Sequence, residues 1–303
     1  MAQDTQAILE ELWRNSLQQK TVESSKWSEL LQIINKQGKG LEETLRFLYG
    51  ERPSLEAFLA WMVAENSVVQ TDTHEVNALD ENELAFFHEH GYVVLRDAVP
   101  PEQCRDAIAA ILYHLGARLD APSSWYNEQE DLRGLMVTFY HHTALQANRK
   151  AARIRKAFDQ LYGQAPIHLV VDKVSFNPPE TATFRFKGSP LHWDVSLSLP
   201  IPFKLQGLLY LNDVDEKMGA FHCVPGFHHQ VESWLRKLPP GVNPRDEAVK
   251  TLQPVPVTGN AGDLVIWHQA LPHCATANHG TVPRFVQYIT YDPDNYVAQP
   301  VWI

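Results

Sequence analysis

The sequence predicts a mainly β fold with helical additions: a helical segment over residues 1–75, then a domain over residues 76–303 built on a sandwich or barrel of antiparallel strands. Three observations carry this expectation. Apolar residues in the first segment recur at helical spacing, whereas after Gly163 they gather into short runs separated by proline and glycine. A hydrophobic share of 44% in 303 residues is enough to bury a sizeable core. No internal repeat or low-complexity stretch points to a solenoid or a tail.

Taken in order, Ile8, Leu9, Leu12, Trp13 and Leu17 trace one helical face, and Trp27, Leu30, Leu31, Ile33 and Ile34 trace another. Leu41, Leu45, Phe47 and Leu48 continue the pattern, and Pro53-Ser54 is a start signal for Leu55, Phe58, Leu59, Trp61 and Met62. Three or four short helices are expected, with the polar stretch Thr71-Asp72-Thr73-His74 as the boundary. Residues 82–90 then read as a helix stopped by Gly91, a residue suited to a left-handed cap. Residues 92–96 read as a strand. Pro100-Pro101-Glu102 opens another helix, since proline is tolerated in the first turn, and Gly116 ends it. Residues 149–161 form a further helix. Strands are expected over 167–176, 191–199, 205–211, 221–224, 264–267 and 285–291.

Composition excludes several functions. With 26 Lys and Arg against 36 Asp and Glu, the net charge is −10 and no basic cluster stands out, so no nucleic-acid partner is expected. No membrane partner is expected either, because no apolar run is long enough to span a bilayer. The start Met1-Ala2-Gln3-Asp4-Thr5 lacks a basic and then apolar leader. Three widely spaced cysteines, Cys104, Cys223 and Cys274, form no CxxC pair, which argues against a disulfide framework and a thiolate metal site. A reducing, cytoplasmic location follows as the expectation.

The residues richest in chemistry are His192-Trp193-Asp194. On a strand, His192 and Asp194 point to one side and Trp193 to the other, because side chains alternate. Two imidazoles and one carboxylate make the set that holds a redox iron(II) and leaves coordination positions open. The third ligand has to come from a second strand, and residues 262–267 lead to two candidates, His268 and His273. An iron oxygenase with a chelating cosubstrate also needs a cation for that cosubstrate's far carboxylate. Arg284, in the strand after His273, can supply a two-pronged guanidinium. His222, His228 and His229 read as turn or core histidines.

Several ordered blocks give these residues a family context. The stretch from Phe86-Phe87-His88-Glu89-His90-Gly91 to Arg96, the His192-Trp193-Asp194 pair, the strand from Gln206 to Val214 and Gly219-Ala220-Phe221 come first. Val224-Pro225-Gly226-Phe227-His228 and the block from Gly262 through His273 and Asn278 to Arg284 follow. In this order they resemble the phytanoyl-CoA dioxygenase family of Fe(II)/2-oxoglutarate-dependent oxygenases, over roughly residues 79 to 292. The resemblance implies a double-stranded β-helix (jelly-roll, cupin-like) core. It further implies iron(II), with 2-oxoglutarate and O2 as cosubstrates, and His273 rather than His268 as third ligand. Arg284 stands where the family binds 2-oxoglutarate, and Lys173 and Asn177, four apart on the preceding strand, stand where related enzymes hold it or else on a solvated face. Two departures are present. The family's Pro-Gly-Ser-His is Pro-Gly-Phe-His here, and Ala275 replaces a small hydroxyl residue, leaving Thr276 as the neighbouring hydroxyl for a cosubstrate bond. Related halogenases replace the ligand carboxylate with a small residue, so Asp194 favours hydroxylation or another oxidation.

The expected partner is a small-molecule substrate. A cupin-like metal hydrolase or isomerase and a non-catalytic ligand-binding jelly roll are the competing readings. Tyr140, His141 and His142 form either a substrate lid or an ordinary loop. Residues 1–75 are expected to be a packing extension or a homodimer contact.

Overall fold

Alternation along the strands organises the molecule. The computed structural model describes residues 3–18, 26–64, 77–128, 130–186, 189–299 and 301–303. Along β10 (Leu264–His268), Leu264 and Ile266 enter one hydrophobic core while Val265 and Trp267 enter another. β7 (Leu205–Tyr210) does the same, with Leu205 and Leu209 on one side and Leu208 and Tyr210 on the other. A sheet buried on both faces favours apolar residues at successive positions, which explains runs such as Leu264-Val265-Ile266-Trp267 and Leu208-Leu209-Tyr210.

This large sheet has seven strands in the order β1-β10-β7-β12-β5-β3-β2. Its other members are β1 (Tyr92–Leu95), β2 (Leu132–Arg133), β3 (Met136–Val137), β5 (Val174–Asn177) and β12 (Arg284–Tyr288). A four-stranded sheet, ordered β6-β11-β8-β9, is made from β6 (Ser189–His192), β8 (Phe221–Cys223), β9 (Val255–Val257) and β11 (His273–Ala275). β4 (Ile167–Val170) pairs with β13 (Thr290–Pro293) in a third, small sheet. All pairings among these strands are antiparallel. Trp193, Phe221 and Cys223 from the small-sheet side share a core with Leu208, Tyr210, Trp267 and Val286 from the large sheet. The result is the expected jelly roll.

Helices cover the outer face of the large sheet. α5 (Glu81–His90) starts at a capping box between Asp80 and Glu83 and ends at Gly91, whose φ of 79° is left-handed. α6 (Pro101–His114) and α8 (Ala152–Leu161) bury Ile111, Ile154 and Phe158 against β7 and β10, and α7 (Thr143–Arg149) precedes α8. Among the described residues no helix is long and apolar enough to cross a membrane.

The N-terminal apolar faces form α1 (Gln3–Leu17), α2 (Trp27–Lys36), α3 (Leu41–Arg46), which runs on into a π-turn at Phe47–Glu51, and α4 (Leu55–Val63). Leu9, Leu12, Leu30, Ile34, Leu48, Phe58 and Met62 bury one another in a separate core. Polar ties join these helices to the β domain: Lys36 to Asp294 at 3.0 Å, Arg46 to Asp131 at 2.8 Å, and Glu42 to Lys173. Asp131 also accepts from Thr138 at 2.7 Å and lies 3.2 Å from His114, so it pins the hairpin formed by β2 and β3. The Thr71–His74 boundary lies outside the described residues.

Three strand expectations need correction. The 167–176 run is two strands in different sheets, broken at Asp172, whose carbonyl is captured by Arg149 Nη2 at 2.8 Å. The 285–291 run also divides, into β12 and β13, because Ile289 donates its N–H to Gly207 instead. The 191–199 strand stops at His192, and residues 193–199 are irregular. Two helices absent from the expected order, α9 (Val231–Lys237) and α10 (Pro244–Thr251), fill the connection between β8 and β9.

Candidate metal centre

β6 and β11 are neighbours, and their register puts His192 directly opposite His273. Asp194 lies just past the end of β6. It reaches the same point because its neighbours are anchored: Trp193 is 1% exposed and its Nε1 donates to Ala270 at 2.9 Å. Arg245 of α10 donates to the carbonyls of Trp193 and Val195 at 2.7 and 2.8 Å, gripping the chain on both sides of Asp194. Trp193 therefore belongs to the core.

His192 Nε2 is 3.4 Å from Asp194 Oδ1, and His273 Nε2 is 3.2 Å from Asp194 Oδ2. The potential ligand atoms of His192, Asp194 and His273 all lie within 4.8 Å of one another. Metal bonds of about 2.1 Å at right angles would place neighbouring ligand atoms about 3 Å apart, so the arrangement fits one small cation. The tautomers fit too. His192 Nδ1 donates to Pro190 O at 2.7 Å and His273 Nδ1 to Leu271 O at 3.2 Å, which leaves each Nε2 with a free lone pair. Asp194 also accepts from Gln206 Nε2 at 2.8 Å. Burial works against the Asp194 charge, but the adjacent His192 and His273 imidazoles and the hydrogen bond from Gln206 outweigh it and hold the carboxyl well below the usual range. Burial likewise opposes a charge on His192, and the adjacent Asp194 overcomes it and raises the pKa.

The triad opens into a cavity of about 590 Å³ that also contains Arg284. Along β12, Arg284, Val286 and Tyr288 share one parity, and Val286 is in the inter-sheet core, so the strand aims Arg284 inward. The guanidinium is 1% exposed. Nη1 donates to Gly219 O and Nη2 to Ser175 Oγ at 3.2 Å, while Nε has no partner. Among the described residues no carboxylate lies within ion-pair distance of it. Trp267 and Phe221 flank His273, with ring centroids 5.2 and 5.6 Å away, and both line the cavity.

Other residues singled out in the sequence lie elsewhere. Lys173 precedes β5 rather than lying on it, and its ammonium pairs with Glu42 of α3 in a separate cleft. Asn177 is opposite Arg284 in the β5–β12 register, yet its Nδ2 donates to the Thr276 carbonyl at 3.3 Å. Neither Asn177 nor Thr276 lines the cavity. His268 is outside the triad: its Nδ1 accepts from Ala270 N at 2.9 Å, and its ring lies 5.2 Å from that of His228. His222 is bound at Nδ1 by Ala220 O at 2.9 Å, and His228 and His229 both donate to His88 O. His141 pairs with Glu43 at 2.8 Å and His142 caps α7, so residues 140–142 form a docked loop rather than a cavity wall. Sequence reasoning missed Gln206, Asp172 and Lys204 on the cavity wall, and Arg245 behind it. Only Gln206 had a usable signal, its shared parity with Leu208 and Tyr210 on β7.

The chain is similar to a Dictyostelium discoideum protein assigned as a phytanoyl-CoA dioxygenase, 21% identical over 268 residues, which is 71% of this chain and 76% of that protein. Among solved structures it is similar to the non-heme alpha ketoglutarate dependent carbocyclase SnoK from nogalamycin biosynthesis. That likeness has a TM-score of 0.54 and 20% identity over 75% of this chain and 90% of the other. It is also similar to the epimerase SnoN in complex with Fe3+, alpha ketoglutarate and nogalamycin RO, with a TM-score of 0.52 and 18% identity over 73% of this chain and 92% of the other. At these identities the likeness establishes a shared fold. Residues 87–286 match the phytanoyl-CoA dioxygenase (PhyH) family, and the chain belongs to that family.

Proposed function

We propose that the chain is an iron(II)- and 2-oxoglutarate-dependent dioxygenase that hydroxylates a small-molecule substrate with release of succinate and CO2. The observation that carries this reading is Arg284, a buried guanidinium that has no counter-ion among the described residues and lies in the same cavity as His192, Asp194 and His273. Desolvating such a charge is costly unless an anion meets it. A dicarboxylate that chelates a metal at one end and reaches Arg284 with the other supplies that anion. A water-activating hydrolase on the same triad has no use for Arg284, and neither does an inert jelly roll.

When bound, iron(II) with 2-oxoglutarate and O2 supplies the oxidative decarboxylation and the abstraction of a substrate hydrogen. His192 and His273 offer Nε2 because their Nδ1 protons are held by backbone carbonyls. Asp194 offers a carboxylate oriented by Gln206 and fixed by the grip of Arg245 on its neighbours. Arg284 binds the far carboxylate of the cosubstrate. Trp267, Phe221 and Leu208 line the cavity with apolar surface that limits water around the reacting centre.

The test is succinate release by purified protein with iron(II), ascorbate, 2-oxoglutarate and O2. His192→Ala and Asp194→Ala are expected to abolish it, and full turnover by both variants overturns the reading. The fold also serves a carbocyclase and an epimerase, SnoK and SnoN, so hydroxylation is checked by a gain of one oxygen in the product mass. We further propose a cytoplasmic enzyme with no nucleic-acid or membrane partner. A homodimer through residues 1–75 is its proposed assembly, read from the solution mass of the full chain and of a chain lacking them.

A further inference from the structure

Asp172 occupies the break between β4 and β5, and it lines the same cavity as the triad and Arg284. Among the described residues its carboxylate accepts one hydrogen bond, from the Lys173 backbone N–H to Oδ1 at 2.7 Å. The cations around it make no hydrogen bond to its carboxylate among the described residues, although Arg149 and Lys173 lie near enough to favour its charge. Lys173 pairs with Glu42, and Lys204, also on the cavity wall, pairs with Asp292 at 2.7 Å. Arg149 spends its Nη donors on the carbonyls of Tyr140 and Asp172 at 2.6 and 2.8 Å. Arg133, on the same wall, is exposed and near Glu42. The cavity's other acid, Asp194, is held by two imidazoles and Gln206. Asp172 is thus an acid of this cavity whose charge meets no side-chain donor among the described residues.

Asp172 is half-buried, and the lone pairs of its carboxylate that the Lys173 N–H leaves unmet are open to a donor entering the cavity. Burial pushes the Asp172 carboxyl up from its ordinary range, a cost that a bound cation reverses. Nearby, Leu135, Met136 and Phe186 supply apolar wall. An anionic substrate, including an acyl-CoA thioester, would bring like charge toward Asp172.

We propose that Asp172 is the specificity-determining residue of this site and that the substrate is an amine, whose protonated nitrogen donates to the Asp172 carboxylate while its carbon skeleton extends toward the triad. This rests on the reading of the triad and Arg284 as the iron and 2-oxoglutarate site. A neutral donor can also hydrogen-bond the carboxylate, but only a protonated amine adds an opposite full charge to that bond.

The test uses full-length protein loaded with Mn(II) and 2-oxoglutarate, and three probes of equal length: n-pentylamine, 1-pentanol and pentanoate. Ligand-observed NMR gives their affinities with and without the metal, and Mn(II)-induced proton relaxation reports whether each lies near the triad. The amine is expected to bind at least about tenfold tighter than the other two and to be relaxed by the metal. Asp172→Asn should erase the preference with Mn(II) and 2-oxoglutarate binding unchanged, and Asp172→Glu should keep it. Equal binding of the alcohol or the acid, a preference that survives in Asp172→Asn, or no binding of the amine overturns the proposal. Failure of the wild type to bind Mn(II) or 2-oxoglutarate overturns the iron reading instead, and the metal-free affinities still judge Asp172.

Discussion

Replacing Arg284 with Gln tests the centre of the functional argument. The guanidinium is 1% exposed, its Nε is unpartnered, and it shares a cavity with the triad. A charge-assisted pair formed there with the far carboxylate of 2-oxoglutarate is desolvated, and truncating one partner of such a pair costs about 2–5 kcal/mol. At about 1.4 kcal/mol per decade, that weakens 2-oxoglutarate binding by about 30-fold to several thousandfold. A second, separate cost comes from the bonds to Gly219 O and Ser175 Oγ, at about 1 kcal/mol each, and appears as lower stability whether or not 2-oxoglutarate is present. The two are separated by measuring KM for 2-oxoglutarate from succinate release and thermal stability with and without the cosubstrate. Arg284→Lys keeps the charge but loses the planar fork, and it should fall between wild type and Arg284→Gln. A folded Arg284→Gln protein whose KM for 2-oxoglutarate stays within about threefold of wild type refutes the reasoning.

Two further expectations concern the frame around the site. Trp193 packs its ring 6.1 Å from Phe227 and 6.2 Å from Trp234, so Trp193→Ala should destabilise the protein by about 3–5 kcal/mol in chemical denaturation. A loss below about 1 kcal/mol would show that the loop carrying Asp194 does not depend on this anchor. For His268, burial above all, aided by His228 and His229, pushes the pKa down to about 4, so the folded chain refuses a proton that the unfolded chain takes up near pH 6.5. Stability should therefore fall as the pH drops from about 6.5 to 4, and His268→Gln should flatten that fall in denaturation midpoints measured across the window. An unchanged slope places the titration in other groups.

What the sequence made legible follows from local rules. The N-terminal helices, the cap at Gly91 and the strand that carries Arg284 are short-range consequences of spacing, and the structure reproduces them. His192 and Asp194 do converge, but for a different reason than strand alternation. β6 ends at His192, and the approach of Asp194 depends on Arg245 from a helix inserted far along the chain. That insertion is short and mostly polar, so its helices left little periodic signal. The choice of His273 over His268 rests on the pairing of β11 with β6, a long-range register that periodicity cannot encode. Asp172 was hidden inside a stretch that reads as one strand, because the residue that interrupts it, Arg149, lies on a different element.

The anchoring of the β2–β3 hairpin has a wider consequence. Its tip, Gly134-Leu135, lines the cavity, while Asp131 at its base is tied to Arg46 of α3. One wall of the reaction chamber is therefore braced from a bundle that has its own hydrophobic interior and contributes none of the triad. Changes in α3 can tilt or widen that wall while the two β-sheets keep their pairing, so the shape of the chamber can be retuned independently of the chemistry at its floor. In engineering terms, the bundle is an adjusting screw fitted to a fixed reactor.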